Sequence, residues 1–249
     1  LLPITAAVSK HLIPIFDKPM IYYPLTTLIL AGIREVRIVV NPEHLEAYMR
    51  LLGNGRDIGI EISYSVQSSP NGLVGGILAA KDHFSGESSA VVLGDNLFYG
   101  SRAGTSLSAL AAGHSGALLF AKEVVNPTEF GVVELSEDRN SILSLEEKPS
   151  VPKSNLAATG LYFYDSSLID RAHEVRPSAR DELEITSLNL SYLADDLLKV
   201  ELLPSSTVWL DTGTFDGLSE ASEFVRVVQA RQGRIIGSPI EAARVCGFL

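Results

Sequence analysis

The apolar positions change character near the middle of the chain. In the first half, runs of helical length alternate with short β-branched runs. "MIYYPLTTLILAGI" predicts a helix over Met20–Ile33, with Pro19 suited to its first turn and Gly32 stopping it. "VRIVV" (Val36–Val40) reads as a strand, followed by a helix from about Pro42 to Leu52. A strand "EISYSV" (Glu61–Val66), a helix from Leu73 to about His83 and a strand "AVVLGDN" (Ala90–Asn96) complete the series. Strands alternating with helices predict right-handed βαβ units in a doubly wound parallel sheet. In the second half "GALLFAKEV", "GVVEL", "SILSLEEKP" and "TGLYFYD" follow one another closely, which predicts antiparallel pairing. Helices return near Glu182–Ala194 and Phe215–Gln232, bracketing "LKVELL" and "VWLDTG". The expected fold class is α/β, Rossmann-like, with a mixed and mainly parallel central sheet flanked by helices and an antiparallel lobe. In such sheets ligands sit at the carboxyl ends of strands, where the chemically loaded tripeptides of this chain fall.

Composition narrows the function classes. With 249 residues, 46% of them hydrophobic, one domain with a sizeable core is expected over 1–249. Thirty acidic residues against 20 basic ones give a net charge of −10, which argues against nucleic acid as a partner. A small phosphorylated ligand needs only a local group of cations, or Mg²⁺, set against that field. No apolar run reaches the ~20 residues that span a bilayer, so no membrane partner is expected. The single cysteine, Cys246, excludes an internal disulfide and a zinc-type cluster. The expected location is cytoplasmic.

Several residues then carry candidate chemistry. Asp95 in "VVLGDN" and Asp211 in "VWLDTGT" each follow an apolar strand and precede a tight turn. Two such strand ends suggest paired carboxylates at one crevice, a donor set Mg²⁺ takes with phosphate oxygens and water, although either carboxylate could instead cap a helix. "LSLEEKP" places Glu147 and Lys148 at a strand end: a carboxylate for sugar hydroxyls beside an ammonium for a phosphate, or a solvated charge run. Arg180 in "PSARDELEIT" could clamp a phosphate bidentately or pair with Asp181. Gln67 follows "EISYSV" with an amide that matches a pyrimidine edge. Gly72 and Gly131 are turn residues that also permit close ligand approach. Lys10 stands between Ser9 and His11. No metal-type histidine spacing and no nucleophile elbow support a hydrolase.

Taken in order, "LLPITAAVSKHLIPIFDKPMIYYPLTTLILAGI", "QSSPNGL", "VLGDNLFYG", "FGVVEL", "LSLEEKP", "TGLYFYD", "SARDELEIT" and "WLDTGT" resemble the sugar-nucleotide pyrophosphorylases, and among them the glucose-1-phosphate thymidylyltransferases. The resemblance covers nearly the whole chain. It implies dTTP and glucose 1-phosphate as substrates, dTDP-glucose and pyrophosphate as products, Mg²⁺ as cofactor, and a homo-oligomer, tetramer or dimer. It also implies a nucleotide-binding part over about 1–115 and a sugar-binding part over about 116–249. Residue by residue, it assigns Asp95 and Asp211 to the metal, and Gln67 and Gly72, with Asp95, to the nucleotide. Asn96, Gly131, Glu147, Ala158 and Tyr162 fall to the sugar, Lys148 and Arg180 to the sugar phosphate, and Lys10 to the triphosphate. In that family a strand and a GGxGTR loop precede the position of Leu1, and a helical tail follows "GFL"; the expectation is that the strand and loop lie upstream of Leu1. Phe130 in place of tyrosine, Ala158 in place of valine, Gly75-Gly76 in place of Ala-Gln-Ala, and Ser187 in place of aspartate depart from the pattern. So does "LPSSTVW", which lacks an arginine. A non-catalytic nucleotide-sugar-binding homologue, a pyrophosphorylase for another base or sugar, and a metal-dependent glycosyltransferase are the competing readings.

Overall fold

The computed structural model describes residues 1–69, 71–84, 86–100 and 115–249. A short hairpin, β1 (Pro14–Ile15) and β2 (Lys18–Pro19), precedes α1 (Tyr22–Leu30). The helix starts later than its apolar run because the Met20 and Ile21 amides donate to the carbonyls of Ile13 and His11. Pro19 therefore closes the hairpin, and Pro24 takes the first helical turn, where an N–H would lack an intrahelical partner anyway. β3 (Glu35–Val40) and β4 (Glu61–Val66) pair in parallel around α2 (Leu45–Leu52), a βαβ unit as the alternation predicts. α3 (Leu73–Ala79) is shorter than expected, and a 3₁₀ turn continues to His83.

The run "AVVLGDN" does not form one strand. β5 (Ser89–Val92) ends before a turn at Gly94–Asp95, and β6 (Asn96–Tyr99) begins in another sheet. The second half supplies β7 (Ala117–Glu123), β8 (Gly131–Leu135), β9 (Ile142–Glu147) and β10 (Leu156–Tyr164). There follow α4 (Leu168–Glu174), α5 (Ile185–Ala194), β11 (Leu198–Leu202), β12 (Val208–Asp211), α6 (Phe215–Gln232) and α7 (Pro239–Val245). Helices α4 and α7 have no counterpart in the sequence reading.

The six-stranded sheet runs β11-β7-β10-β8-β9, with β5 also on β10. The mixed α/β class holds, but the parallel share is smaller than the alternation implies. Among described pairings only β3–β4 and β7–β11 are parallel. The reason is topological: β5 pairs with β10 from the second half rather than with β3. β3 and β5 thus each keep an edge without a described strand partner, and both line one slot of about 800 Å³.

The largest apolar cluster joins β7, β10 and helices α3–α5 through Leu119, Ala121, Tyr162, Tyr164, Leu188 and Tyr192. A second packs α1 and α7 on β3 and β4, and a third joins the hairpin, β6 and α6. Helix α6 is capped by the Thr214 hydroxyl, which accepts from the Gly217 amide at 3.1 Å and stabilises the helix by ~1 kcal/mol. Among the described residues no helix is long and apolar enough to cross a membrane.

Candidate active site

Pairing of β6 with β12 sets Asn96 opposite Asp211, so Asp95, one residue earlier, arrives beside Asp211 at the strand corner. The corner is locked by backbone contacts. The Thr212 amide and hydroxyl donate to the Asp95 carbonyl at 3.0 and 2.7 Å. The Leu93 amide reaches the Gly160 carbonyl at 2.8 Å, where β10 is bulged between Ala158 and Tyr162. Bulges of this kind re-aim side chains at sites. A Cβ at Gly160 would stand 2.7 Å from the Leu93 side chain, so only glycine permits this approach.

The two carboxylates differ in their surroundings. Asp95 Oδ2 receives Lys10 Nζ at 2.5 Å, and Asp95 Oδ1 receives Asn96 Nδ2 at 2.8 Å. Burial pushes the Asp95 pKa up, but the Lys10 ammonium outweighs it and the net direction is down. Among the described residues, Asp211 has the Gly213 amide, at 2.7 Å, on its Oδ1 and no ion pair. Burial, then the neighbouring Asp95 charge, holds its carboxyl above the usual carboxylate range. Two hard oxygen donors with surplus negative charge suit Mg²⁺. No group of three or more His, Cys, Asp or Glu residues stands ready for a metal among the described residues. Mg²⁺ commonly binds through one or two carboxylates and completes its shell with phosphate oxygens and water.

Lys10 is held from its own segment. Tyr48 on α2 is buried, and its hydroxyl meets Ser9 Oγ at 2.8 Å and His11 Nδ1 at 3.2 Å, one residue on either side of Lys10. The His11 ring also sits where a Cβ at Gly94 would come within 2.8 Å, which wedges it against the turn that carries Asp95. Burial lowers the His11 pKa, so its imidazole is neutral.

Gln67 follows β4 and lines the slot together with Gly72 and Asp95. Its Nε2 donates to Asn71 Oδ1 at 2.8 Å and to the Gly72 carbonyl at 3.3 Å. A carbonyl accepts only, so the amide nitrogen faces it and Oε1 is the presented atom. Gly72 has φ +99°, and a Cβ there would lie 2.6 Å from the Leu183 carbonyl. The Leu183 amide donates to the Asn71 carbonyl at 2.8 Å, and the Leu183 carbonyl accepts from Val74 at 3.1 Å.

Close to Leu183 in sequence stand Arg180, Glu184 and Thr186. Arg180 donates to Glu184 Oε1 at 2.8 Å and to Glu147 Oε1 at 3.3 Å. Glu147 pairs in register with Gly131, and its Oε2 accepts the Thr186 hydroxyl at 2.5 Å. A Cβ on Gly131 would lie 3.4 Å from Thr186 Oγ1 and 3.6 Å from both the Ala158 methyl and Glu147 Oε2. Four residues thus converge on a small open space. Tyr162 on β10 is buried, and burial and then Glu147 raise its pKa, so its hydroxyl keeps its proton. Lys148 has φ +44° and its amide bonds the Phe130 carbonyl at 3.0 Å. Its charge lowers the pKa of Asp211, and among the described residues it makes no ion pair.

The structure therefore gathers Lys10, Asp95, Asp211 and Lys148 in one corner, sets Gly131, Ala158 and Arg180 around Glu147, and places Gln67 and Gly72 at the slot. Asn96 is more committed than the sequence suggests. Besides Asp95, its Oδ1 accepts from Trp209 Nε1 at 2.6 Å and from the Gly160 amide at 3.1 Å, and it is 2% exposed. Thr186, Asn71 and Tyr48 went unnoticed in sequence. Thr186 closes the run "SARDELEIT" and Asn71 lies within "QSSPNGL", so both stood inside quoted motifs; Tyr48 carries no such signal.

Comparison with known proteins places the chain in a family. The nucleotidyl transferase family profile matches residues 1–227. The chain is 49% identical over 248 residues to a glucose-1-phosphate thymidylyltransferase of Mycolicibacterium smegmatis, covering 99% of this chain and 85% of that protein. It is 48% identical over 249 residues to one of Neisseria meningitidis, covering 100% of this chain and 86% of the relative. A crystal structure assigned to a glucose-1-phosphate thymidylyltransferase of Bacillus anthracis, with sucrose bound, superposes with a TM-score of 0.83 at 33% identity, over 91% of this chain and 90% of that one. A UDP-glucose pyrophosphorylase bound to UDP-glucose gives 0.78 at 25% identity, over 94% of each chain. On profile, identity and fold alike, the chain belongs to the nucleotidyl transferase family, within its glucose-1-phosphate thymidylyltransferases.

Proposed function

We propose that the chain makes dTDP-glucose and pyrophosphate from dTTP and glucose 1-phosphate by a single in-line displacement. A phosphate oxygen of the sugar 1-phosphate attacks the α-phosphorus, the bond to the β-phosphate breaks, and pyrophosphate leaves opposite. The observation that carries this reading is the corner itself: the charges of Lys10 and Lys148 act on two neighbouring carboxylates, Asp95 and Asp211, and Asp211 makes no ion pair among the described residues. Two polyanions must meet there, so the barrier is mainly one of charge and position. Mg²⁺ would be held by Asp95 and Asp211 and, when bound, supplies positive charge to phosphoryl oxygens. Lys148, without a partner carboxylate, receives the attacking phosphate, and Arg180 extends that cation from its seat on Glu147 and Glu184. Lys10 faces the triphosphate. The phosphate monoester is already ionised near pH 7, so no strong general base is needed, in keeping with a neutral, buried His11. Gln67 Oε1 accepts from N3–H of thymine or uracil, and cytosine, with an acceptor at N3, is disfavoured. Glu147, Tyr162 and the space over Gly131 and Ala158 take the sugar.

Pyrophosphate release with glucose 1-phosphate and each nucleotide tests the assignment. dTTP and UTP are expected to exceed CTP by ~1–3 kcal/mol in kcat/KM. Equal use of CTP removes Gln67 from the site. Thr186→Val keeps shape but removes the bond to Glu147. A several-fold rise in KM for glucose 1-phosphate is expected, about 1 kcal/mol, with KM for dTTP unchanged. An unchanged sugar KM takes Glu147 out of that role.

The strand that the family resemblance places upstream of Leu1 is proposed to lie between the edges of β3 and β5, with the GGxGTR loop after it at the triphosphate, leaving the nucleotide the carboxyl end of the slot, where Gln67, Gly72 and Asp95 stand. Strands of six residues, like β3 and β4, extend about 20 Å. Ordering a glycine-rich loop costs ~1–2 kcal/mol per fixed residue, so nucleotide is expected to slow hydrogen exchange upstream of Leu1 and around Lys10 in the full gene product. Protection confined to other segments refutes this placement.

A further inference from the structure

We infer that Asn71 sets which base the site accepts, by fixing the orientation of the Gln67 amide; the inference rests on the reading of Gln67 as the base contact. Gln67 has one amide with two faces. With Nε2 turned to Asn71 Oδ1 and the Gly72 carbonyl, both of its N–H groups have acceptors, and Oε1 alone faces the open side next to Gly76, where a Cβ would be 3.5 Å away. Rotated half a turn, the same amide would present N–H groups, which suit cytosine N3 instead. The Gly72 carbonyl, which can only accept, turns the nitrogen inward but at 3.3 Å is a long acceptor; Asn71 Oδ1 at 2.8 Å is the shorter of the two and reinforces the same orientation.

Asn71 can reach that position because of a residue four places on. Gly75 lies inside α3, and a Cβ there would fall 1.8 Å from Asn71 Oδ1 and 2.6 Å from its Cγ. The Asn71 side chain thus folds back into the volume that any other residue at 75 would fill. The backbone of Asn71 is meanwhile pinned to Leu183, so its side chain, not its main chain, is the part free to move. Gly75 has no positive φ to explain it and weakens a helix interior, where alanine is the better helix former. Room for Asn71 is the physical use the structure offers for it. Asn71 is a positioning residue: it touches Gln67, and Gln67 touches the base.

Two variants of the full gene product test this from opposite directions. Asn71→Ala removes the acceptor. Gly75→Ala leaves Asn71 in the chain but displaces its amide, while favouring helix α3. In both, the ratio of kcat/KM for dTTP to that for CTP is expected to fall by roughly tenfold, with dTTP against UTP unchanged, since thymine and uracil share the N3 edge. A merely structural role would lower all three nucleotides together and leave the ratios alone. The ratio unchanged in both variants, while Gln67→Ala alters it, overturns the inference. A ratio indifferent to Gln67→Ala refutes the base contact itself, and this inference with it.

Discussion

Asparagine at Asp95 or at Asp211 is expected to abolish turnover, and the two variants are expected to move thermal stability in opposite directions. Each substitution removes one of the two negative charges at the corner, and losing one hard oxygen ligand that would hold Mg²⁺ is expected to cost on the order of 3 kcal/mol or more in kcat/KM. Stability separates the two because their environments differ. Asp211 has a folded-state pKa raised by burial and by Asp95. Its protonated form is the one the fold favours, so the stability it contributes is full below the unfolded pKa and lost as pH rises through the folded one. At pH 7 without metal its charge opposes folding, and Asp211→Asn raises Tm. Asp95 has a lowered folded pKa because Lys10 outweighs burial. Its contribution is present above the unfolded pKa and lost as pH falls through the folded one, so Asp95→Asn lowers Tm at pH 7, and the deficit shrinks in acid. Melting in EDTA across pH, beside pyrophosphate-release kinetics, reads both effects. Near-normal activity of either variant at limiting Mg²⁺ ends its role as a ligand, and a Tm shift of the same sign in both ends the electrostatic account.

Lys10→Met is expected to be the next most damaging change. The side chain keeps its length but loses the charge that the corner places 2.5 Å from Asp95. Loss of that charge from the triphosphate side is expected to reduce kcat/KM on the order of 100-fold, chiefly for the nucleotide. The variant also leaves Asp95 and Asp211 facing each other without the ammonium. Breaking a partly buried charged hydrogen bond costs ~1.5–3 kcal/mol. The deficit belongs at neutral pH, where both carboxylates are ionised, and it diminishes as pH falls and they protonate. Added Mg²⁺ is expected to raise the Tm of Lys10→Met more than that of the wild type, since the metal then meets two unneutralised carboxylates. Equal Mg²⁺ shifts in the two proteins contradict the shared corner. A wild-type kcat/KM for dTTP in Lys10→Met contradicts the triphosphate contact.

Much of this was readable from the chain. The short strand-like runs "VRIVV" and "EISYSV", set between segments of helical length, located β3 and β4, because strand propensity and run length are local to the sequence whatever the strand later packs against. The strand-then-turn form of "LGDN" and "WLDTG" marked the two carboxylates as candidates, and the ordered run of motifs identified the family, before any geometry. Local patterning could not show that "AVVLGDN" divides between two sheets. Its apolar run is continuous, and the break at Gly94–Asp95 is imposed from outside by the His11 ring and the Gly160 carbonyl. Pro19 in the hairpin, the small parallel share of the sheet, and the heavy commitment of Asn96 to Trp209 and Gly160 are of the same kind. So are the partners that hold the site: Tyr48 on Ser9 and His11, Thr186 on Glu147, and Asn71 on Gln67 in the space left by Gly75. The sequence by itself determined which residue types were available for charge, base and sugar, since those follow from side-chain chemistry and local period. Tertiary structure decided which of them meet and in which protonation state, because strand register, burial and the approach of distant segments set distances and local fields that no window along the chain contains.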